Sequence, residues 1–327
     1  MAIARTPRAP QHLPGVTSMS NGGPSQPRPN RNDRRDAARE KARVLREEQK
    51  KRDRRKKVFI QGGIIVAVVA VAALIGALIF NNVKPDGPGP ANMASDGIVL
   101  TGADGAITAV ETPALDPGDD PVPTVQDDSG NLANIVVYID YLCPYCGQFE
   151  ATNNETMRTL VESGAATLEV HPIAILSNRS AGTQYSLRAA NAAACVADQS
   201  PESFFDYNTI LFENQPEEGS TGLSNDELKS LASDAGVGSL SEVEACIDET
   251  RFKSWVQDAT ERALAGPIPN SELEAVKGTP TVLVNGKAYA GSLSDATEFQ
   301  AFVTQAASES SLESTDPSAT PTPTPAP

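Results

Sequence analysis

The feature that most constrains this chain is an apolar run leading straight into a pair of cysteines. Ile135-Val136-Val137-Tyr138-Ile139 is β-branched and aromatic, the composition of a buried strand. Asp140-Tyr141-Leu142 follow, and then Cys143-Pro144-Tyr145-Cys146. Pro144 suits the first position of a helix, because the N–H it lacks has no partner there anyway. Cys143 then stands at a helix N-terminus, where free N–H groups and the macrodipole favour an anion. The thiolate is the form of cysteine that attacks disulfides. Cys146 lies one turn further on, within reach of Cys143. The pair suits thiol–disulfide exchange, with Cys143 as the nucleophile and Cys146 as the resolving thiol.

Other uses of a Cys-x-x-Cys pair are less well supplied. A zinc knuckle needs two more ligands at matching spacing. Cys195 and Cys246 are single and far apart, and the two histidines are His12 and His171. A c-type haem site needs histidine after the second cysteine, where this chain has Gly147. A purely structural bridge is the plain alternative.

Charge divides the chain before any fold is considered. Residues 1–57 carry 17 Lys and Arg against six Asp and Glu; the rest carries ten against 36. Residues 1–32 are rich in Pro, Gly, Asn, Ser and Arg and are expected to be disordered. Asp33–Lys57 has the composition of a solvated basic helix, a stop signal beside a membrane rather than a nucleic-acid arm. Val58–Phe80 is 23 residues without a charge, enough to cross about 30 Å of hydrocarbon. It is too long for a cleaved signal's apolar region, and no small-residue cleavage site follows. The expectation is an uncleaved anchor with a cytoplasmic N-terminus and an extracytoplasmic body.

The body reads in order. Residues 81–94 are a Pro- and Gly-rich linker. Ile98–Leu100 and Ile107–Val110 flank a hairpin turn at Ala103-Asp104-Gly105. Residues 112–131 form a surface loop. A helix from Pro144 places Tyr145, Phe149, Met157, Leu160 and Val161 at mostly helical spacings and ends at Gly164. Thr167–Leu176 reads as a strand. A helical block covers about 181–265, with a cap at Ser200-Pro201, capping boxes at Ser224–Glu227 and Ser241–Glu244, and terminators at Gly236 and Gly266. Thr281–Val284, the turn Asn285-Gly286 and Lys287–Ala290 make a hairpin. Ser294 caps a last helix with Phe299, Phe302, Val303 and Ala306 inward. The Pro/Thr tail, 310–327, is expected not to fold.

These marks together resemble the DsbA-like branch of the thioredoxin superfamily, in the membrane-anchored form of actinobacterial envelopes. The likeness covers residues 95–309. It is carried by Asp140 to Cys146, the helical block between two sheet units, and Gly278-Thr279-Pro280-Thr281. It implies an α/β thioredoxin fold with a helical insertion, preceded by one transmembrane helix. It implies a cis Thr279–Pro280 bond facing the cysteines, with Pro144, Tyr145, Thr279, Pro280 and Asp140 supporting the site. Neither cofactor nor metal is implied. The partners implied are reduced secreted or envelope proteins, a membrane reoxidant of the quinone-linked kind, and lipid, but no nucleic acid.

Two features depart from the family's pattern. A buried acid commonly stands six residues before the first cysteine, and here that position is Val137. Asp140, nearer the strand end, is either its substitute or an exposed strand-end residue. The dipeptide between the cysteines is Pro-Tyr, not the Pro-His of strongly oxidising relatives. His171 and Trp255 read as core packing. With Cys143 and Cys146 paired, the remaining pairing of the four cysteines is Cys195–Cys246, across a loop of 52 residues. The chain-entropy value of such a bridge is about 4 kcal/mol. The function expected is a protein disulfide oxidase. The alternatives are an isomerase or reductase, or a non-catalytic binding or chaperone module on the same fold.

Overall fold

The computed structural model describes residues 35–36, 39–54, 87–103, 105–127 and 132–315. Two units divide the chain at Lys84–Pro85. In the first, residues 39–54 form helix α1, with every residue exposed. This helix falls within Asp33–Lys57, whose composition is that of a solvated basic helix. Its ion pairs are one turn apart, Arg39–Asp36 at 3.8 Å and Arg43–Glu40 at 3.9 Å. Among the described residues no helix is long and apolar enough to cross a membrane, and the run 58–80 lies outside them.

The second unit is built on a six-stranded sheet in the order β2-β1-β4-β3-β5-β6. The strands are β1 (Ile98–Ala103), β2 (Ala106–Ala109), β3 (Ala133–Ile139), β4 (Ala166–Pro172), β5 (Thr281–Val284) and β6 (Lys287–Ala288). β3 and β4 are parallel, joined through helix α2 (Pro144–Glu162); the other pairings are antiparallel. Every residue of β3 is buried, which explains its unbroken apolar run. Ile135, Val137 and Ile139 face a core with Phe149, Met157 and Val161 of α2 and with Phe299, Val303 and Ala306 of α8 (Ala296–Thr315). Phe149 meets Phe299 edge-on at 5.3 Å. Val136 and Tyr138 face a smaller cluster with Ala263, Ile268 and Val276.

Between β4 and β5 lie five helices: α3 (Tyr185–Gln199), α4 (Phe204–Glu213), α5 (Asn225–Asp234), α6 (Leu240–Glu249) and α7 (Lys253–Ala265). Cys195 of α3 and Cys246 of α6 form a disulfide with Cα atoms 5.8 Å apart. Ser224 and Glu227 make the reciprocal capping box at α5.

Several local expectations are corrected. The strand read as Thr167–Leu176 ends at Pro172, and the Leu176 N–H instead reaches the Asp140 carboxylate at 2.8 Å. No capping box forms at Ser241: α6 starts at Leu240, and the N–H of its cap residue Ser239 donates to Ser200 Oγ at 3.0 Å. Ser200 thus serves a neighbouring helix, while Pro201 opens a 3-10 turn ahead of α4. The last helix is capped by Asp295, whose Oδ1 accepts from Thr297 and Glu298, and not by Ser294. That helix runs to Thr315, past the expected start of the tail. Residues 87–94, expected as a spacer, pack on the body. Met93 is buried, the Ala91 N–H donates to Asp198 at 2.8 Å, and Asn92 Nδ2 donates to the Ala197 carbonyl at 2.9 Å.

Candidate active site

Cys143 is the N-cap of α2 and Pro144 occupies its first turn. Cys143 and Cys146 are both free thiols and both buried. The turn that presents them closes on itself: the Cys143 N–H donates to the Asp140 carbonyl at 2.9 Å, and the Gly147 N–H to the Cys143 carbonyl at 3.1 Å. The Asp140 N–H points at Cys146 Sγ, 3.5 Å away. Cys143 Sγ donates to the Thr279 carbonyl at 3.1 Å, and the Thr279–Pro280 bond is cis. Thr281 pairs with Tyr138 of β3, so the strand register carries this loop to the cysteines.

The two sulfurs differ electrically. The Cys146 thiol hydrogen-bonds to Cys143 and lowers its pKa to about 6, against the opposing effect of burial. The Thr279 side chain and the N–H groups of Cys146 and Tyr145 add to the lowering. The helix terminus therefore contributes, but the neighbouring thiol contributes more. Burial holds Cys146 well above the usual thiol range. One thiolate, on Cys143, is what this pair supports at neutral pH.

Val137 is fully buried in the core, so no acid stands at that position. Asp140 is not an exposed strand-end residue; it is fully buried. Its Oδ1 accepts from the Leu142 N–H at 2.9 Å and its Oδ2 from the Leu176 N–H at 2.8 Å. Burial raises its pKa despite these bonds. Asp140 ties the cysteine turn to the segment after β4. Tyr145 is 64% exposed, on the open side of the first helical turn and not in the core. His171 is buried in β4, stacked on Tyr138 at 4.3 Å with Nε2 3.1 Å from Glu169, and is remote from the thiol pair in contacts. Trp255 is partly buried and packs on the core.

Two residues near the pair escaped the sequence reading. Glu150, one turn beyond Cys146, is buried, and burial pushes its carboxyl up to about 7, opposed by bonds from Asn154 and Asn208. It lines a cleft of about 240 Å³ between α2 and α4. Its i+4 spacing from Cys146 was a usable signal. Gln215, in the turn after α4, donates from Nε2 to the Tyr141 carbonyl at 3.1 Å and to the Cys143 carbonyl at 2.9 Å. Nothing local to Gln215 signals this.

Comparison with known proteins adds a family. The family model described as Thioredoxin matches residues 131–305. No curated protein matches the chain. Among solved structures, reduced DsbA from Mycobacterium tuberculosis is 29% identical, over 67% of this chain and 100% of its own, with a TM-score of 0.48. The reduced disulfide-bond oxidoreductase DsbG from the same organism is 30% identical, over 71% and 97%, with a TM-score of 0.48. MdbA from Actinomyces oris, a thiol–disulfide oxidoreductase, is 23% identical over 54% and 86%, with a TM-score of 0.45. With the family match covering β3 to β6, the insertion and the dithiol, this chain belongs to the thioredoxin family and is a DsbA-like thiol–disulfide oxidoreductase.

Proposed function

We propose that this protein is a membrane-anchored oxidase that introduces disulfides into secreted proteins through Cys143-Pro144-Tyr145-Cys146. The observation that carries the direction is the lowered Cys143 pKa beside a buried, neutral Cys146. An oxidant is a protein whose dithiol form is stabilised relative to its disulfide, and a thiolate exists only in the reduced form. At pH 7, a thiol titrating at about 6 instead of near 9 stabilises the reduced form by about 1.4 kcal/mol, one tenfold step. That moves the potential about 30 mV in the oxidising direction.

The reaction runs in two exchanges. A substrate thiolate attacks Cys143 Sγ of the oxidised pair, and the sulfur of Cys146 leaves and takes up a proton. A second substrate thiolate then attacks the substrate sulfur of the mixed disulfide. Cys143 departs as a thiolate, and a low pKa makes it the better leaving group. The products are a substrate disulfide and the enzyme dithiol, which a membrane reoxidant returns to the disulfide. Membrane anchoring rests on the uncharged run 58–80 and the basic run before it. That topology puts the catalytic unit outside the membrane, where no glutathione buffer competes.

The test uses the full chain in detergent with reduced, unfolded ribonuclease and an oxidant. Active ribonuclease should appear faster than with oxidant alone, and the dithiol form should resist denaturant better than the disulfide form. If the disulfide form is the more stable and only insulin reduction is catalysed, the enzyme is a reductase. If neither assay shows turnover, the oxidase reading fails.

A further inference from the structure

Gln215 comes from the helical insertion yet holds the cysteine turn. Its root is pinned by α4: the Gln215 N–H donates to the Phe212 carbonyl at 3.2 Å. Phe212 in turn packs on Tyr141, ring centroids 5.1 Å apart. From that anchor the side-chain amide reaches the two carbonyls on either side of Leu142, those of Tyr141 and Cys143. The remaining amide oxygen lies over Gly147. A Cβ built at Gly147 would stand 2.2 Å from Gln215 Oε1, closer than real Cβ contacts come. Gly147 sits inside α2, where glycine costs helix stability relative to alanine. The approach of Gln215 accounts for a glycine directly after Cys146.

We propose that Gln215 is a positioning residue for Cys143, a clamp delivered by the helical insertion and admitted by Gly147. The inference rests on the dithiol site as described. Its amide N–H groups offset the partial negative charge of the Cys143 carbonyl, the oxygen nearest in sequence to the reacting sulfur. They also fix the Cys143–Pro144 peptide plane, from which the first turn of α2 and its Tyr145 and Cys146 N–H groups are built. Removing the clamp costs the thiolate both effects.

The experiment titrates the Cys143 thiolate by its absorbance at 240 nm in the reduced full chain, and measures the equilibrium with glutathione. Gln215→Leu removes the donors; Gln215→Glu replaces them with a charge over the same turn. Both are expected to reduce the thiolate at pH 6 severalfold, about tenfold for the glutamate. A tenfold change in the exchange constant is about 30 mV toward a reducing potential. Gly147→Ala leaves Gln215 in the chain but displaces it, and alanine is the better helix former. It should raise the Cys143 titration point without lowering the melting temperature, and Gly147→Ala with Gln215→Leu should shift it no further than either alone. This variant decides the matter if those at Gln215 do not fold. Wild-type titration in Gly147→Ala, or shifts that add in the double variant, would overturn the proposal. Failure of wild-type protein to turn over ribonuclease would instead sink the oxidase reading and leave the titration result standing.

Discussion

Cys143 and Cys146 lie three residues apart, and the difference in their environments sets their roles. Cys146→Ala should accumulate mixed disulfides between Cys143 and substrates, visible on non-reducing gels. Cys143→Ala should accumulate none, because the remaining thiol is buried and held neutral. The reverse pattern would exchange the two assignments. The pH dependence follows from the sign of the shift. Cys143 has a lowered pKa in the folded dithiol, so the added stability of the reduced form is complete only above the ordinary thiol value. It declines as pH falls and is gone below about 6. Denaturant midpoints of the reduced and oxidised chains should therefore converge between pH 8 and pH 5. Asp140 carries a different kind of load. Asp140→Ala leaves the N–H groups of Leu142 and Leu176 unpaired, at about 1–3 kcal/mol for each buried donor. The urea midpoint of the full chain should fall accordingly, and a midpoint like the wild type's would show that water replaces the carboxylate.

At the scale of elements, what the sequence discloses is what local spacing can encode. β3 followed by Cys-x-x-Cys and α2 is readable because strand, proline and cysteines are contiguous. The capping box at Ser224–Glu227 is readable because both partners sit within one turn. Ser241–Glu244 has the same spelling and no cap, because a serine 39 residues from Ser239 closes the start of α6. Strand β4 stops at Pro172 since proline cannot donate to the ladder and Asp140 claims the backbone further on. Tyr145 has helical spacing to Phe149 but stands on the exposed side of the first turn of α2. Glu150 was within reach of pattern reading; Gln215 was not, being 72 residues from the carbonyl it holds. The helical insertion also offers a direct test of its cross-link. Cys195→Ala with Cys246→Ala should lower stability by about 2–4 kcal/mol in urea unfolding. Unfolding unchanged by the pair would mean that the packing of α3 against α6 already supplies the restraint.

Across the whole catalytic unit, the ordered boundary lies earlier than composition suggests. Pro- and Gly-rich residues 87–94 look like a linker, but Met93 is buried and the Ala91 N–H donates to Asp198 Oδ1 at 2.8 Å. A chain starting at residue 95 should be less stable than one starting at 85, by about 1.5–3 kcal/mol for the loss of Met93 alone. Equal melting temperatures would place the boundary where composition puts it. A longer-range consequence follows from the depth of the second disulfide. Cys195 and Cys246 are fully buried, while Cys143 meets the cis-Pro280 loop at the rim of the same fold. A folded copy cannot present Cys195 or Cys246 to another copy's Cys143. Another copy can therefore introduce this cross-link only into a chain whose α3 and α6 have not yet packed, so a molecule that draws on its own kind depends on copies already oxidised. Reduced, unfolded chain should regain the bridge with a lag, and a small dose of oxidised, folded protein should abolish the lag.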